Sequence, residues 1–446
     1  MNVRTLASAV TGVLALLAVS PDAWSQPDEI AQLKAELRAL QQRIEAVERR
    51  QTQAQAANAQ PAAPTVAAGS STVEVSTAAA APVGRSRTNA AGWTQRIQLK
   101  GDLRYRNERF DVEGAADRDR DRIRARAGFT ARINDRWRTE LVLATGRSDH
   151  RSANQSLGEL GARKDFGLDL AYAQWSPDER FTLTLGKMRQ QWIRPDESLF
   201  IDGDINPEGL AAAYTHSSGL FANAHQYWLT ERSQLSDSTL TAVQAGWRGE
   251  LGLGVRLTIG AGYYDYGAVR GRTLPAPDEF DPFGNSTFTA APGGGGPCHP
   301  AVGVGERCLA NDYDIAEVFG EVSFELGGRP LTVFAEYGRN RAADELDTAY
   351  GAGVTWGRVR DARSWEIGYV YQDIERDALF AQFVDSDFAD GQTDSRGSVI
   401  RVGYGLDQNF AFSASYFLNE LNVSGLGSGG ARRDYRRLQL DLNFRF

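Results

Sequence analysis

Arg437-Leu438-Gln439-Leu440-Asp441-Leu442-Asn443-Phe444-Arg445-Phe446 alternates apolar and polar residues without a break. A period of two is the signature of a β-strand, because successive side chains leave opposite faces of the pleat. One face carries Leu438, Leu440, Leu442, Phe444 and Phe446; the other carries charges and amides. Strands of soluble sandwiches average about 5–6 residues. Alternation sustained for about 10 residues fits a tilted strand crossing a bilayer. Working back along the chain, the pattern recurs in Phe410-Phe412-Ala414-Tyr416-Leu418, Trp365-Ile367-Tyr369-Tyr371 and Val255-Leu257-Ile259-Ala261-Tyr263. It recurs again in Ile123-Ala125-Ala127-Phe129-Ala131-Ile133 and Ile97-Leu99-Gly101-Leu103-Tyr105. Open sheet edges are not tolerated in lipid, so these strands predict a closed all-β transmembrane barrel.

Sixteen antiparallel strands are predicted, near 94–106, 121–133, 137–148, 166–176, 179–189, 208–217, 219–230, 238–249, 252–266, 313–326, 330–341, 347–358, 361–373, 396–406, 408–419 and 434–446. Tight connections at Asn134-Asp135, Pro177-Asp178, Ser218, Glu250-Leu251, Gly327-Gly328, Val359-Arg360 and Asp407 alternate with long ones near 107–120, 149–165, 190–207, 267–312, 374–395 and 420–433. Short periplasmic turns and long outer loops give that alternation. Trp93, Trp137, Trp175, Trp247, Trp356 and Trp365 all fall beside the short turns or the start of the barrel, as a periplasmic aromatic belt requires.

Composition agrees. With 42% hydrophobic and 24% charged residues and a mean hydropathy of -0.40, the 446-residue chain is too polar for a helical membrane protein. A net charge of -8 gives no basic footprint for nucleic acid. Arg4, the uncharged run Leu6 to Val19 and Ala23-Trp24-Ser25 read as a signal peptide over residues 1–25, which places the mature chain in an oxidising compartment. Cys298 and Cys308 therefore read as a disulfide; a metal site adding His299 is the alternative and lacks a fourth ligand. Within residues 26–51, Ile30, Leu33, Leu37, Leu40, Ile44 and Val47 form a heptad seam, predicting a short periplasmic α-helical coiled coil; a helix docked on its own barrel is the alternative. Residues 52–92 are rich in Ala, Gln, Pro, Thr and Ser and read as a flexible linker to the barrel at 93–446.

Gly186-Lys187-Met188-Arg189-Gln190-Gln191-Trp192, followed by Asp202-Gly203-Asp204-Ile205-Asn206-Pro207-Glu208-Gly209, resembles the family of putative porins of Gram-negative outer membranes. The signal peptide, heptad helix and sixteen-strand pattern carry the resemblance over nearly the whole chain. It implies a homotrimer, a signal for the barrel-assembly machinery at Leu442, Phe444 and Phe446, and a third outer loop that folds into the lumen as a constriction. Residues 190–207 are that loop, with Arg194, Asp196, Glu197, Asp202 and Asp204 as its charged groups.

The inward parity of the first three strands selects Arg96, Lys100, Arg104, Arg106, Arg122, Arg124, Arg126, Arg132 and Arg138 as a pore-lining basic wall. Facing acids of the third loop, it would set a transverse field across the lumen; mixed charge in any water-filled lumen is the plainer account. Glu317, Glu321, Glu325, Glu336 and Glu366 fall inward on later strands. Asp385, Asp387, Asp390 and Asp394 match a calcium loop poorly and read as solvated acids, or as lipopolysaccharide contacts, too far out to influence permeation. The four histidines lack an orienting acid, so no catalytic residue, metal or cofactor is expected. These readings predict passive diffusion of small hydrophilic solutes and ions with a weak anion preference. The rivals are a substrate-selective phosphate or organic-acid channel, and a tether from outer-membrane lipid to peptidoglycan through the N-terminal helix.

Overall fold

The computed structural model describes residues 96–446 except 147–148, 234, 275–280, 294–295 and 427–429. The expected signal peptide, coiled coil and linker, with Trp93, lie outside the described residues. Among the described residues sixteen strands form the barrel: β1 (Ile97–Val112), β2 (Arg118–Arg132), β3 (Trp137–Thr145), β4 (Phe166–Trp175), β5 (Phe181–Lys187), β6 (Glu208–Thr215), β7 (Leu220–Thr230), β8 (Ser238–Gly252), β9 (Val255–Gly267), β10 (Tyr313–Leu326), β11 (Arg329–Asn340), β12 (Thr348–Gly357), β13 (Trp365–Ile374), β14 (Ser395–Asp407), β15 (Phe410–Leu421) and β16 (Arg433–Arg445). Each is antiparallel to its neighbours in sequence. The ring closes where β1 pairs with β16, from Asp102 opposite Arg445 to Val112 opposite Tyr435. Phe446 extends that seam by exchanging backbone hydrogen bonds with Gly101 at 2.9 and 3.1 Å. A Cβ at Gly101 would stand 2.8 Å from the Arg126 carbonyl oxygen and press on the Phe446 ring, so a larger residue would disturb the seam.

The alternation that predicts the strands also sets their faces. Leu103, Tyr105, Leu141, Leu143, Val318, Ile367, Tyr369, Ile400 and Val402 point outward and are exposed. Such a continuous apolar surface marks a membrane contact rather than a water interface, and each side chain gains about 1.5–3 kcal/mol on leaving water. Tryptophans gather beside the short turns. Trp137 and Trp175 lie 6.3 Å apart, Trp356 and Trp365 4.9 Å apart. Trp247 Nε1 donates to the Ser218 carbonyl at 2.7 Å and Trp356 Nε1 to that of Leu326 at 3.1 Å.

The first connection departs from expectation. Residues 107–120 are not a long loop: β1 and β2 continue to Val112 and from Arg118, joined by residues 113–117. Above the apolar band both faces become polar, as in the Arg109–Asp119 pair at 3.5 Å, so the hydrophobic signal stops while the hydrogen-bond ladder runs on. Two further connections at the same end of the barrel, 231–237 and 341–347, are short. The turn at Val359-Arg360 is wider than expected and β13 begins at Trp365, because Ser364 Oγ accepts from the Arg360 and Asp361 amides. Cys298 and Cys308 form a disulfide inside the 268–312 connection, where Thr287–Thr289 pairs with Arg307–Leu309.

The apolar core lies inside the ring. Trp192, Phe200 and Ile205 of segment 188–207, and Leu379, Phe380, Phe383 and Val384 of segment 375–394, pack on Tyr227, Leu240, Tyr264, Tyr266, Tyr313 and Ile315 of β7–β10. A second cluster sets Leu199 and Phe388 against Phe334, Val370, Val399, Phe417 and Tyr435.

Candidate functional site

Opposite the aromatic side, the inner face of β1–β3 and β16 carries the charges. Arg104 and Arg124 stand directly across from one another, as do Arg106 and Arg122. Like charges at such positions repel, so each needs an acid. Arg124 donates twice to Asp102, at 2.8 and 3.1 Å. Arg106 forks onto Asp441 of β16 at 2.7 and 2.8 Å and reaches Asp387 at 2.9 Å. Arg437 of β16 binds Asp387 at 2.9 Å and also Glu108. Arg126 bridges Asp204 at 3.0 Å and Asp169 at 3.5 Å. Lys100 and Arg189 share Glu140, which also accepts from Tyr172 at 2.7 Å. Arg122 donates to the Asn154 carbonyl at 2.6 Å.

Six of the nine expected basic residues therefore meet in this inner array: Lys100, Arg104, Arg106, Arg122, Arg124 and Arg126. Arg96, Arg132 and Arg138 do not; they are exposed beside the tight β2–β3 turn, where Arg96 donates to the Ile133 carbonyl at 3.3 Å.

The acids of segment 188–207 do not act together. Asp204 alone meets the basic wall, through Arg126 and, at 3.7 Å, Arg124. Asp196 binds Arg358 at 2.7 Å and its amide donates to Glu321 of β10 at 2.9 Å. Glu197 pairs with Arg401 of β14. Arg194 donates to the Ile201 carbonyl within its own segment. Asp202 turns to segment 375–394: its amide donates to the Phe383 carbonyl at 2.7 Å and its Oδ2 accepts from the Ser386 amide at 2.7 Å. The segment touches wall on several sides, so its charges are shared among them.

Sequence reasoning misplaced segment 375–394. Asp385 and Asp387 are not distant solvated acids: Asp385 accepts from the Phe388 amide at 3.0 Å, and Asp387 sits between Arg106 and Arg437. Asp394 is buried and caps Ser424, and of the four only Asp390 is exposed. The unused signal was Phe380, Phe383, Val384 and Phe388, apolar residues in an acidic loop that need cover. Burial works against ionisation of Asp387, yet Arg106 and Arg437 hold its carboxyl below the usual range. Burial likewise opposes Asp204, and Arg126, Arg124 and Arg104 prevail in holding it down. At Asp202 the balance is reversed: burial, then Asp385 and Asp204, push it well up.

Across the lumen Glu317 and Glu336 are buried, while Glu325 is exposed near the β10–β11 turn. His225 is buried between Trp192 and Tyr227, with ring centroids 5.8 and 5.5 Å away. Cavities border these charges: one of 430 Å³ is lined by Asp149, Asp169, Lys187, Asp204, Tyr227 and Phe383, and one of 370 Å³ by Lys100, Asp102, Arg104, Arg124, Arg126 and Arg189.

The model of a family described as putative porin matches residues 111–281 and 311–446. No curated protein matches the sequence. Among solved structures, the high-pH form of OprB from Pseudomonas putida is similar at 13% identity and a TM-score of 0.52, over 79% of this chain and 95% of that one. A loop-deletion mutant of OmpT from Vibrio cholerae is similar at 12% identity and a TM-score of 0.45, over 79% of this chain and all (100%) of that one.

Proposed function

The chain belongs to the putative porin family, and from that premise we propose that it is a passive diffusion channel for small hydrophilic solutes and ions in the outer membrane. The observation that supports this most is a closed ring with an apolar outside and a charged inside. Segment 188–207 acts as the constriction, because its contacts reach β2, β10 and β14. Nine cations of the inner array, counting Arg120, Arg189 and Arg437, meet seven acids, so a weak anion preference is retained despite Asp387. In this reading Leu442, Phe444 and Phe446 present the assembly signal on the outer face.

The protein works as a trimer. Support comes from a shallow hollow of 590 Å³ on the outer surface, floored by Ala212, Ala222, Ala224 and Ala245 and rimmed by Phe181 and Tyr263, which lets a neighbouring barrel approach closely.

Planar-bilayer recording of the refolded full chain tests the function. A large ohmic conductance with reversal potentials slightly on the anion side is expected, from particles of trimer mass in mild detergent. A folded protein that never conducts would leave the tether reading in its place.

A further inference from the structure

Arg104 is the under-neutralised member of the basic wall. Its Nε donates to Asn443 Oδ1 at 3.0 Å, and its nearest carboxylate, Asp441, lies 3.9 Å away and is already forked by Arg106. Among the described residues its two Nη atoms donate to no protein acceptor, although Arg124 stands directly opposite. Both guanidinium groups border the 370 Å³ cavity, together with Arg126, Lys100, Arg189 and one carboxylate, Asp102. Asp102 is taken by Arg124, and Arg126 has Asp204 and Asp169, which leaves Arg104 with only the shared Asp441. A guanidinium fork matches the oxygens of carboxylate and phosphate. The volume lies near the small end of ligand cavities, about 300–1,000 Å³.

We infer that this hollow is a binding subsite for a small dianionic oxyanion, with Arg104 as the fork and Arg124 and Lys100 as flanking charges. The inference rests on the channel reading and gives it a solute class. An anion there relieves the Arg104–Arg124 repulsion. A passing solute would dwell at the site, so flux should saturate with concentration.

Two measurements on the detergent-solubilised full chain separate the site from the channel. Equilibrium dialysis with labelled inorganic phosphate, and in parallel labelled succinate, reads binding without conduction. Saturable uptake of either one is expected, and the tighter of the two identifies phosphate or dicarboxylate as the preferred head. Arg104→Gln should weaken uptake about tenfold or more, Arg104→Lys less, and Arg329→Gln at a periplasmic turn not at all. Heat-modifiable mobility shows that each variant is folded. In bilayers the same anion should reduce chloride current along a saturating curve that Arg104→Gln abolishes. Absence of saturable binding to the folded wild type, or equal binding by folded Arg104→Gln, overturns the subsite. Binding without any conductance would overturn the channel and leave the subsite standing.

Discussion

The two inner walls of the barrel obey one alternation and use it in opposite ways. On β1–β3 and β16 inward arginines and carboxylates are locked in forks; on β7–β10 inward tyrosines, leucine and isoleucine pack on infolded segments, with His225 and Glu317 among them. Segment 375–394 touches both, with Asp387 on the charged wall and Phe380 on the aromatic one. Charge holds that segment in place at one end and apolar packing holds it at the other. A lumen thus need not be uniformly wet: the aromatic side is packed like a protein core, beside cavities bordered by the charged groups.

The contrast breaks most sharply at Asp387. Asp387→Ala leaves Arg106 and Arg437 short of a shared partner, and losing one member of a buried ion cluster costs about 3–5 kcal/mol. Urea unfolding in lipid vesicles should show a loss of that size, and bilayer conductance should rise as segment 375–394 loosens. Unchanged stability and conductance would mean that Asp441 and Glu108 suffice. On the aromatic side, Phe380→Leu keeps the apolar volume but removes the ring lying 4.5 Å from Tyr266. About 1 kcal/mol is expected, with selectivity unmoved, since no charge changes. A shift of reversal potential would tie the two walls together.

The smallest effect is one of pH. Asp387 lies below its unfolded value of about 3.9, so its contribution is full above that value and disappears as pH falls below it. Asp202 lies above its unfolded value, so its ionisation disfavours the fold at neutral pH, and stability is recovered as pH falls through the raised value. Stability should therefore rise slightly on mild acidification and then fall below about pH 4. Asp202→Asn should lessen the rise, because burial pushes Asp385 up as well, and keep the fall; a monotonic decline in the wild type would show that neither carboxyl titrates above its unfolded value.

Strand number and facing are legible because lipid imposes one apolar face on every strand, and that constraint is local. The parity that selects Arg104 and Arg106 selects Asp102 and Glu108 equally, so half of the charged wall's neutralisation can be read from the same rows. Its other half cannot. Asp387 reaches Arg106 across 281 residues, and nothing in the acidic run 385–394 distinguishes a solvated carboxylate from a clamped one except the phenylalanines beside it. Likewise the acids of 190–207 look like one group in sequence, but the segment's path hands Asp204 to β2 and Glu197 to β14.

The seam between β1 and β16 has a consequence for how the barrel is built. Every other pairing among the sixteen described barrel strands joins strands adjacent in sequence, so the sheet can grow by adding one hairpin to the next. The seam is different in kind: Arg104 and Asn443, hydrogen-bonded across it, are 339 residues apart. Until β16 is in place, β1 presents a bare row of amides and carbonyls, the kind of edge that recruits strands from other chains. Entropic search for so distant a partner is slow relative to local zipping. The open sheet is thus the long-lived, aggregation-prone species of folding, and whatever shields its two edges during export sets the yield of finished barrels.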